Sequence, residues 1–207
     1  MQANIKDIDV YYTIEEDVRA EIKVKGSRFI ASASRASDRE SAMDFLRRTR
    51  NEFHDATHNC YSYLIGHDGL EFRYSDDGEP SGTAGKPILF EIKKYNYSDI
   101  IVVVTRFFGG TKLGVGGLAR AYAESAGEAL KIAKPRPVYR TVTVRVFCTY
   151  EDISVIKKIL SEHAVSYMEE YRDAIEIDAS VPISKIEFFK NAVVNNTAGR
   201  AGALIRE

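Results

Sequence analysis

The chain has 207 residues, 44% of them hydrophobic, which is enough apolar surface for one large core or two modest ones. Its 29 basic and 30 acidic residues leave a formal net charge of -1, excluding a global field that would hold nucleic acid or an anionic membrane nonspecifically. Any such binding must therefore be local.

Cys60 and Cys148 form neither a CxxC metal pattern nor a disulfide framework and read as free thiols. The opening MQANIKDIDVYYTIEEDVRAEIK carries acids where a signal peptide needs an apolar run, and no stretch approaches the roughly 18 to 20 apolar residues of a membrane span. The expectation is a cytoplasmic protein without membrane contact.

In chain order, Ala20–Lys25 and Arg28–Ser34 read as strands joined at Gly26. Ser37 followed by Glu40 has capping-box spacing, and Ala42, Phe45, Leu46, Thr49 and Phe53 recur at helical intervals behind it. Cys60–Ile65 and Leu70–Tyr74 flank the turn residues His67, Asp68 and Gly69, as in a hairpin. A polar loop over Ser75–Lys86 precedes a short helix from Pro87 to Lys94. Ile100–Val104 is a continuous β-branched run, expected at the sheet centre. Leu118, Tyr122, Ala126, Ala129, Leu130 and Ala133 then outline a helix from Gly116 to Ala133.

The prolines of Lys134–Pro137 end that pattern and place the domain boundary, giving domains 1–134 and 138–207. Up to Lys134 the chain carries 19 basic and 20 acidic residues, and beyond it ten of each, so neither half is a basic module. The second domain reads as strand Val138–Thr149, helix Glu151–Glu162, strands Val165–Tyr171 and Ala174–Val181 joined by an Arg172–Asp173 turn, helix Ser184–Asn195, and a last strand near Ala203–Arg206. That β-α-β-β-α order is ferredoxin-like, and the whole chain is expected to be a two-domain α/β (α+β) protein. Arg145 and Phe147, with Tyr139, share one parity on the first of these strands, while Arg140 has the other. Either a base-stacking platform or core packing fits that odd face, and core packing is the expectation.

Two segments carry the candidate chemistry. SDDGEPSGTAGKP, from Ser75 to Pro87, concentrates acids, hydroxyls and glycines in a loop longer than ordinary connections. Asp76, Asp77 and Glu79 offer oxygens to a cation or to a ligand's hydroxyls and amines, Thr83 offers a hydroxyl, and Lys86 an ammonium. RFFGGTKLGVGGLAR, from Arg106 to Arg120, places five glycines between a buried strand and a helix start. Gly109, Gly110, Gly114, Gly116 and Gly117 permit close backbone approach, and a helix N-terminus offers unpaired N–H donors, so this segment suits an anion with Arg106, Lys112 and Arg120 in support. The alternative is a turn that needs glycine for packing alone.

Gly114, Gly116 and Ala119 fit a relaxed dinucleotide pattern, but the chain breaks at Lys134–Pro137 where that fold requires another parallel strand. The phosphate loop GxxxxGK[ST] is absent. His54, His58 and Cys60 are close in sequence, yet the helix is expected to end near Phe53, so no metal site is assigned. His58 and Glu79 stand as the acid–base candidates, and Cys60 is expected in the core.

SDDGEPSGTAGKP and VVVTRFFGGTKLGVGGLARAY, with EIKVKGSRFIA at Glu21–Ala31 and DATHNCYSYLIG at Asp55–Gly66, closely resemble the IMPACT family in its bacterial YigZ-type branch. The resemblance covers nearly the whole first domain. It implies a first-domain fold similar to the second domain of a ribosomal protein, a ferredoxin-like second domain similar to elongation-factor domains, and a role linked to translation or RNA. The matching motif residues are Arg28, His58, Asp76, Asp77, Glu79, Thr83, Lys86, Arg106, Gly109, Gly110, Gly114, Gly117 and Arg120, with Lys112 matching less firmly. Eukaryotic members bind their partner through an additional N-terminal domain for which this chain has no room, so that partner is not expected.

The resemblance implies no particular reaction and no cofactor. The leading expectation is a regulatory binding protein that engages RNA, the ribosome or a translation factor through a local anion-binding cleft. The alternative is an enzyme acting on a phosphorylated or carboxylated small molecule.

Overall fold

The computed structural model describes residues 9–171 and 175–206, with Tyr171 described as backbone only. The expected Arg172–Asp173 turn lies outside the described residues. Two compact units are present: residues 12–137, and Val138 onward together with the segment ending at Tyr11. Strands β1 (Val10–Ile14) and β7 (Pro135–Tyr139) pair as a two-stranded ribbon, and the division between units falls within both. Residues 134–137, read as a solvated joint, thus supply most of a strand; proline is tolerated there because a two-stranded ribbon has only edges.

In the first unit, β2 (Val18–Val24), β3 (Ser27–Arg35), β4 (His58–Ile65), β5 (Glu71–Ser75) and β6 (Ile100–Phe107) form one sheet in the order β2-β3-β6-β4-β5. The neighbouring pairs are all antiparallel. β6 is central, and its unbroken apolar run is explained by burial on both faces. Val102 and Val104 pack with α2 (Gly85–Lys94) and α3 (Gly114–Ile132), while Ile101 and Val103 pack with α1 (Arg39–Glu52).

Helix α1 is capped one residue later than the Ser37–Glu40 spacing predicts. Asp38 accepts the backbone N–H of Ser41 at 2.7 Å and Ser41 Oγ accepts the N–H of Asp38 at 3.3 Å, while Ser37 turns its hydroxyl onto Asp38 itself.

The second unit holds β8 (Thr141–Cys148), α4 (Ile153–His163), β9 (Ser166–Tyr171), β10 (Ile175–Pro182), α5 (Ile186–Asn196) and β11 (Gly202–Ile205). Its sheet runs β11-β8-β10-β9 with both helices on one face, the ferredoxin-like β-α-β-β-α-β arrangement. The single strand expected over Val138–Thr149 is two strands broken at Arg140. That residue's N–H goes to the Asp9 carbonyl at 2.7 Å and its carbonyl accepts from Ile183 at 3.1 Å, so neither group continues the ladder. The core side of β8 is the even one, Val144, Val146 and Cys148; Arg145 and Phe147 lie on the opposite face, which overturns core packing for the odd residues.

At the start of α4, Asp152 accepts from Arg200 Nη2 at 2.5 Å and Nε at 3.1 Å. Arg200 beside it, aided by Thr149, holds the Asp152 carboxyl below its ordinary range. A folded pKa below the unfolded one stabilises above about pH 4, and that contribution vanishes as pH falls through the folded value. Asp152→Asn should therefore lower the urea midpoint of this unit at pH 6, with the gap to wild type closing as pH falls toward about 2. A gap independent of pH would contradict the pairing.

No helix among the described residues is long and apolar enough to cross a membrane.

Candidate functional site

The site gathers at one end of the five-stranded sheet, and strand register decides which side chains meet there. Arg106, near the end of β6, lies opposite Phe29 of β3 and His58 of β4, so all three project to the α2–α3 side. Tyr122 of α3 covers this corner and meets Phe29 edge-on at a centroid distance of 5.2 Å.

Glu79 reaches the same corner from the polar loop. Its Oε1 accepts from Arg106 Nη1 at 2.6 Å and from the Tyr122 hydroxyl at 2.8 Å, and His58 Nε2 stands 3.9 Å away. Glu79 and Arg106 are both buried, so this is an ion pair withdrawn from water rather than a screened surface contact. Arg106 Nη2 approaches Ser27 Oγ at 3.4 Å, whereas its buried Nε has no hydrogen-bond partner among the described residues. The guanidinium also lies 5.5 Å from the ring centres of both Phe29 and Phe108.

His58 Nδ1 lies 2.8 Å from the Asp77 carbonyl. A carbonyl only accepts, so Nδ1 donates its proton there and Nε2 is the ring nitrogen that faces Glu79. Cys60, two residues along β4, is buried beneath the loop, and burial pushes its thiol up to about 12, which removes it as a nucleophile. Burial likewise raises the Tyr122 phenol, which therefore remains a donor.

The loop acids Asp76 and Asp77 are engaged within the protein. Asp76 accepts the backbone N–H groups of Gly82, Ala84 and Gly85 at 2.8 to 2.9 Å, closing the loop onto the start of α2. Asp77 accepts from the Asn59 backbone at 2.7 Å and from Arg50 at 2.5 Å. Thr83 donates to the Pro80 carbonyl at 2.6 Å. Pro87 is the third residue of α2, not its first, because Asp76 draws the helix start back to Gly85.

Glycines of the second segment play three parts. Gly109 is packed against Gly26 and Ser27 so closely that a side chain has no space. Gly110 and Gly114 have positive φ and open surroundings, and Gly116 and Gly117 form the first turn of α3. That helix opens without a side-chain cap and without an acid in its first turn. Gly114 and Val115 of its first turn line a cavity of about 370 Å³ together with Glu79, Arg106, Phe108 and Lys112, among others. Arg120, exposed, sends a guanidinium nitrogen back alongside Gly116, within 3.8 Å of where a side chain there would begin.

His58, Glu79, Arg106, Lys112 and the α3 glycines thus share one end of the sheet. Arg28 does not join them: one residue along β3 from Phe29, it faces the other side of the sheet and lies 4.3 Å from the Phe107 ring centre. Lys86 stands on the exposed surface of α2. Sequence reasoning missed Tyr122, Ser27 and Arg50 as partners of these groups. For Tyr122 a signal existed, since a tyrosine on a buried helical face needs an acceptor for its hydroxyl.

The Impact N-terminal domain model matches residues 25–130, which contain all of these groups. The chain is 36% identical over 195 residues to the IMPACT family member YvyE of Bacillus subtilis, covering 92% of this chain and 88% of that one. It is 29% identical over 180 residues to the IMPACT family member YigZ of Escherichia coli, covering 86% and 88%. A crystal structure of a hypothetical protein superposes with a TM-score of 0.69 at 27% identity, over 96% of this chain and 98% of that one. The chain belongs to the IMPACT family.

Proposed function

We propose that the chain is a regulatory binding protein that takes a phosphate group of RNA, free or within the translation machinery, in the cleft at the α3 N-terminus. The observation that carries this reading is the first turn of α3, which has no side-chain cap and opens on a cavity lined by Lys112 and Arg106. A phosphate oxygen accepts from such donors and relieves the cost of leaving them unpaired.

Lys112 and Arg120 are exposed, so replacing them tests binding without disturbing the core. Fluorescence anisotropy of labelled oligouridylate under titrated salt should show wild-type affinity falling with salt. The Lys112→Ala, Arg120→Ala double variant should bind more weakly with a shallower slope, by up to about two in log Kobs against log salt. Equal binding by wild type and variant would remove the proposal.

A second reading, an enzyme for a phosphorylated or carboxylated small molecule, draws on the cavity volume and on His58 Nε2 at 3.9 Å from Glu79. It requires that an anionic metabolite raise the melting temperature in a manner that Lys112→Ala abolishes, while oligouridylate does not bind.

A further inference from the structure

A second surface of the first unit combines exposed aromatic rings with lysines. On β5, Phe72 and Tyr74 are 45% and 43% exposed, and on α2 Phe90 is 66% exposed. Phe72 and Tyr74 lie opposite Leu64 and Ser62, so both rings stand on the α2 side of the sheet. Lys93 Nζ sits 4.8 Å from the Phe72 ring centre, which fixes the flank of α2 that faces β5. Lys86, Phe90 and Lys93 are spaced i, i+4, i+7 and share that flank. The start of α2 meets the end of β5, where Gly85 approaches the Ser75 backbone. The five residues therefore form one strip running from the loop end of the sheet along its β5 edge.

Acids are turned away from this strip. Glu71 lies opposite Ile65 and so faces the α1 side, and Glu91 projects toward α3, where it approaches Gly127 and pairs with Lys94. No ion pair holds Lys86 or Lys93 among the described residues. Three exposed aromatic residues and two lysines without an ion pair among the described residues, one of them lying over the Phe72 ring, match the requirements of a single-stranded nucleic acid, whose bases stack on aromatic rings while its phosphates meet cations. A protein partner would use the same rings for their apolar area and has no need of the lysines' spacing.

From this juxtaposition we infer that Phe72, Tyr74, Lys86, Phe90 and Lys93 form a stacking track for single-stranded RNA along the β5–α2 edge. The inference rests on the RNA reading of the α3 cleft for its ligand class, but different residues carry it. It adds single-strand selectivity, which a phosphate site alone does not confer.

The test uses the full chain, labelled oligouridylate and a duplex RNA of equal length, with binding read by anisotropy. Crosslinks from 4-thiouridine-substituted oligomer are then mapped to peptides. Wild type should prefer the single strand and crosslink within residues 71–93. Phe90→Ala, Lys93→Ala should weaken single-strand binding about tenfold with duplex binding and melting temperature unchanged. Phe90→Leu, which keeps apolar area and removes the ring, should lose affinity as well.

If crosslinks fall only near Lys112 and Arg120 and the Phe90 and Lys93 variants bind as wild type, the track is wrong and the cleft stands. If Phe90→Leu binds as wild type, or if the double variant dissolves a dimer seen by sedimentation without altering RNA binding, the strip serves a protein or a second copy and the inference falls. If wild type binds no RNA, cleft and track fail together.

Discussion

Replacing Glu79 with glutamine should cost the first unit roughly 3 to 5 kcal/mol of unfolding free energy, because it leaves a buried guanidinium without its counter-charge. Glu79 is 8% and Arg106 5% exposed, so water cannot take over the solvation of the surviving charge. Glutamine keeps the shape and one carbonyl acceptor, which isolates charge from packing. Tyr122→Phe, which deletes only the phenol that donates to the same Glu79 oxygen, should cost about 0.5 to 1.5 kcal/mol. Urea unfolding of the full chain, followed by a probe in residues 12–137, measures both. A Glu79→Gln loss below about 1 kcal/mol, the range of exposed ion pairs, would mean that the pair is solvated in solution.

The second large effect is expected at Gly109. A Cβ there would stand 1.9 Å from the carbonyl carbon of Gly26, 2.1 Å from its oxygen and 2.3 Å from the nitrogen of Ser27, and none of these is the far end of a movable side chain. Ser27 also accepts the Gly109 N–H at 3.2 Å, so separating the two segments breaks a bond at the entrance of the site. Gly109→Ala should destabilise by about 3 kcal/mol or more, at or beyond the upper end of overpacking costs. Gly110→Ala supplies the contrast: its φ is +85° and nothing lies within 4 Å, so only backbone strain of about 1 kcal/mol is expected. Thermal unfolding of the two variants ranks them. Similar losses would show that positive φ, rather than close backbone approach, decides both positions.

These two positions show how the sequence divides between fold and site. The β-branched run of β6 announced a central strand because only burial on both faces makes such a run favourable, and the periodic apolar residues of α1 and α3 announced helices with one buried face. The first strand, β1, gave no such signal: its pairing with β7 joins segments more than a hundred residues apart, and no local pattern encodes that. The cap of α1 was displaced by one residue because Ser37 and Asp38 are both competent acceptors, and only backbone geometry selects between them.

The site was legible as composition and illegible as geometry. From the residues alone, two polar glycine-rich segments stood out, together with the suitability of a glycine-rich helix start for an anion. Which carboxylate meets Arg106, however, depends on the course of the nine-residue loop between β5 and α2, and the structure gives that place to Glu79 while Asp76 and Asp77 close the loop through backbone amides. Register separates Arg28 from Arg106 for the same reason: side chains alternate along a strand, so a single step in sequence moves a charge to the opposite face of the sheet. By itself, then, the sequence determined the two α/β units, the central strand and the residue types of the two polar, glycine-rich segments. Tertiary structure alone decided which of those charges neutralise one another, because that depends on distances between segments remote in the chain.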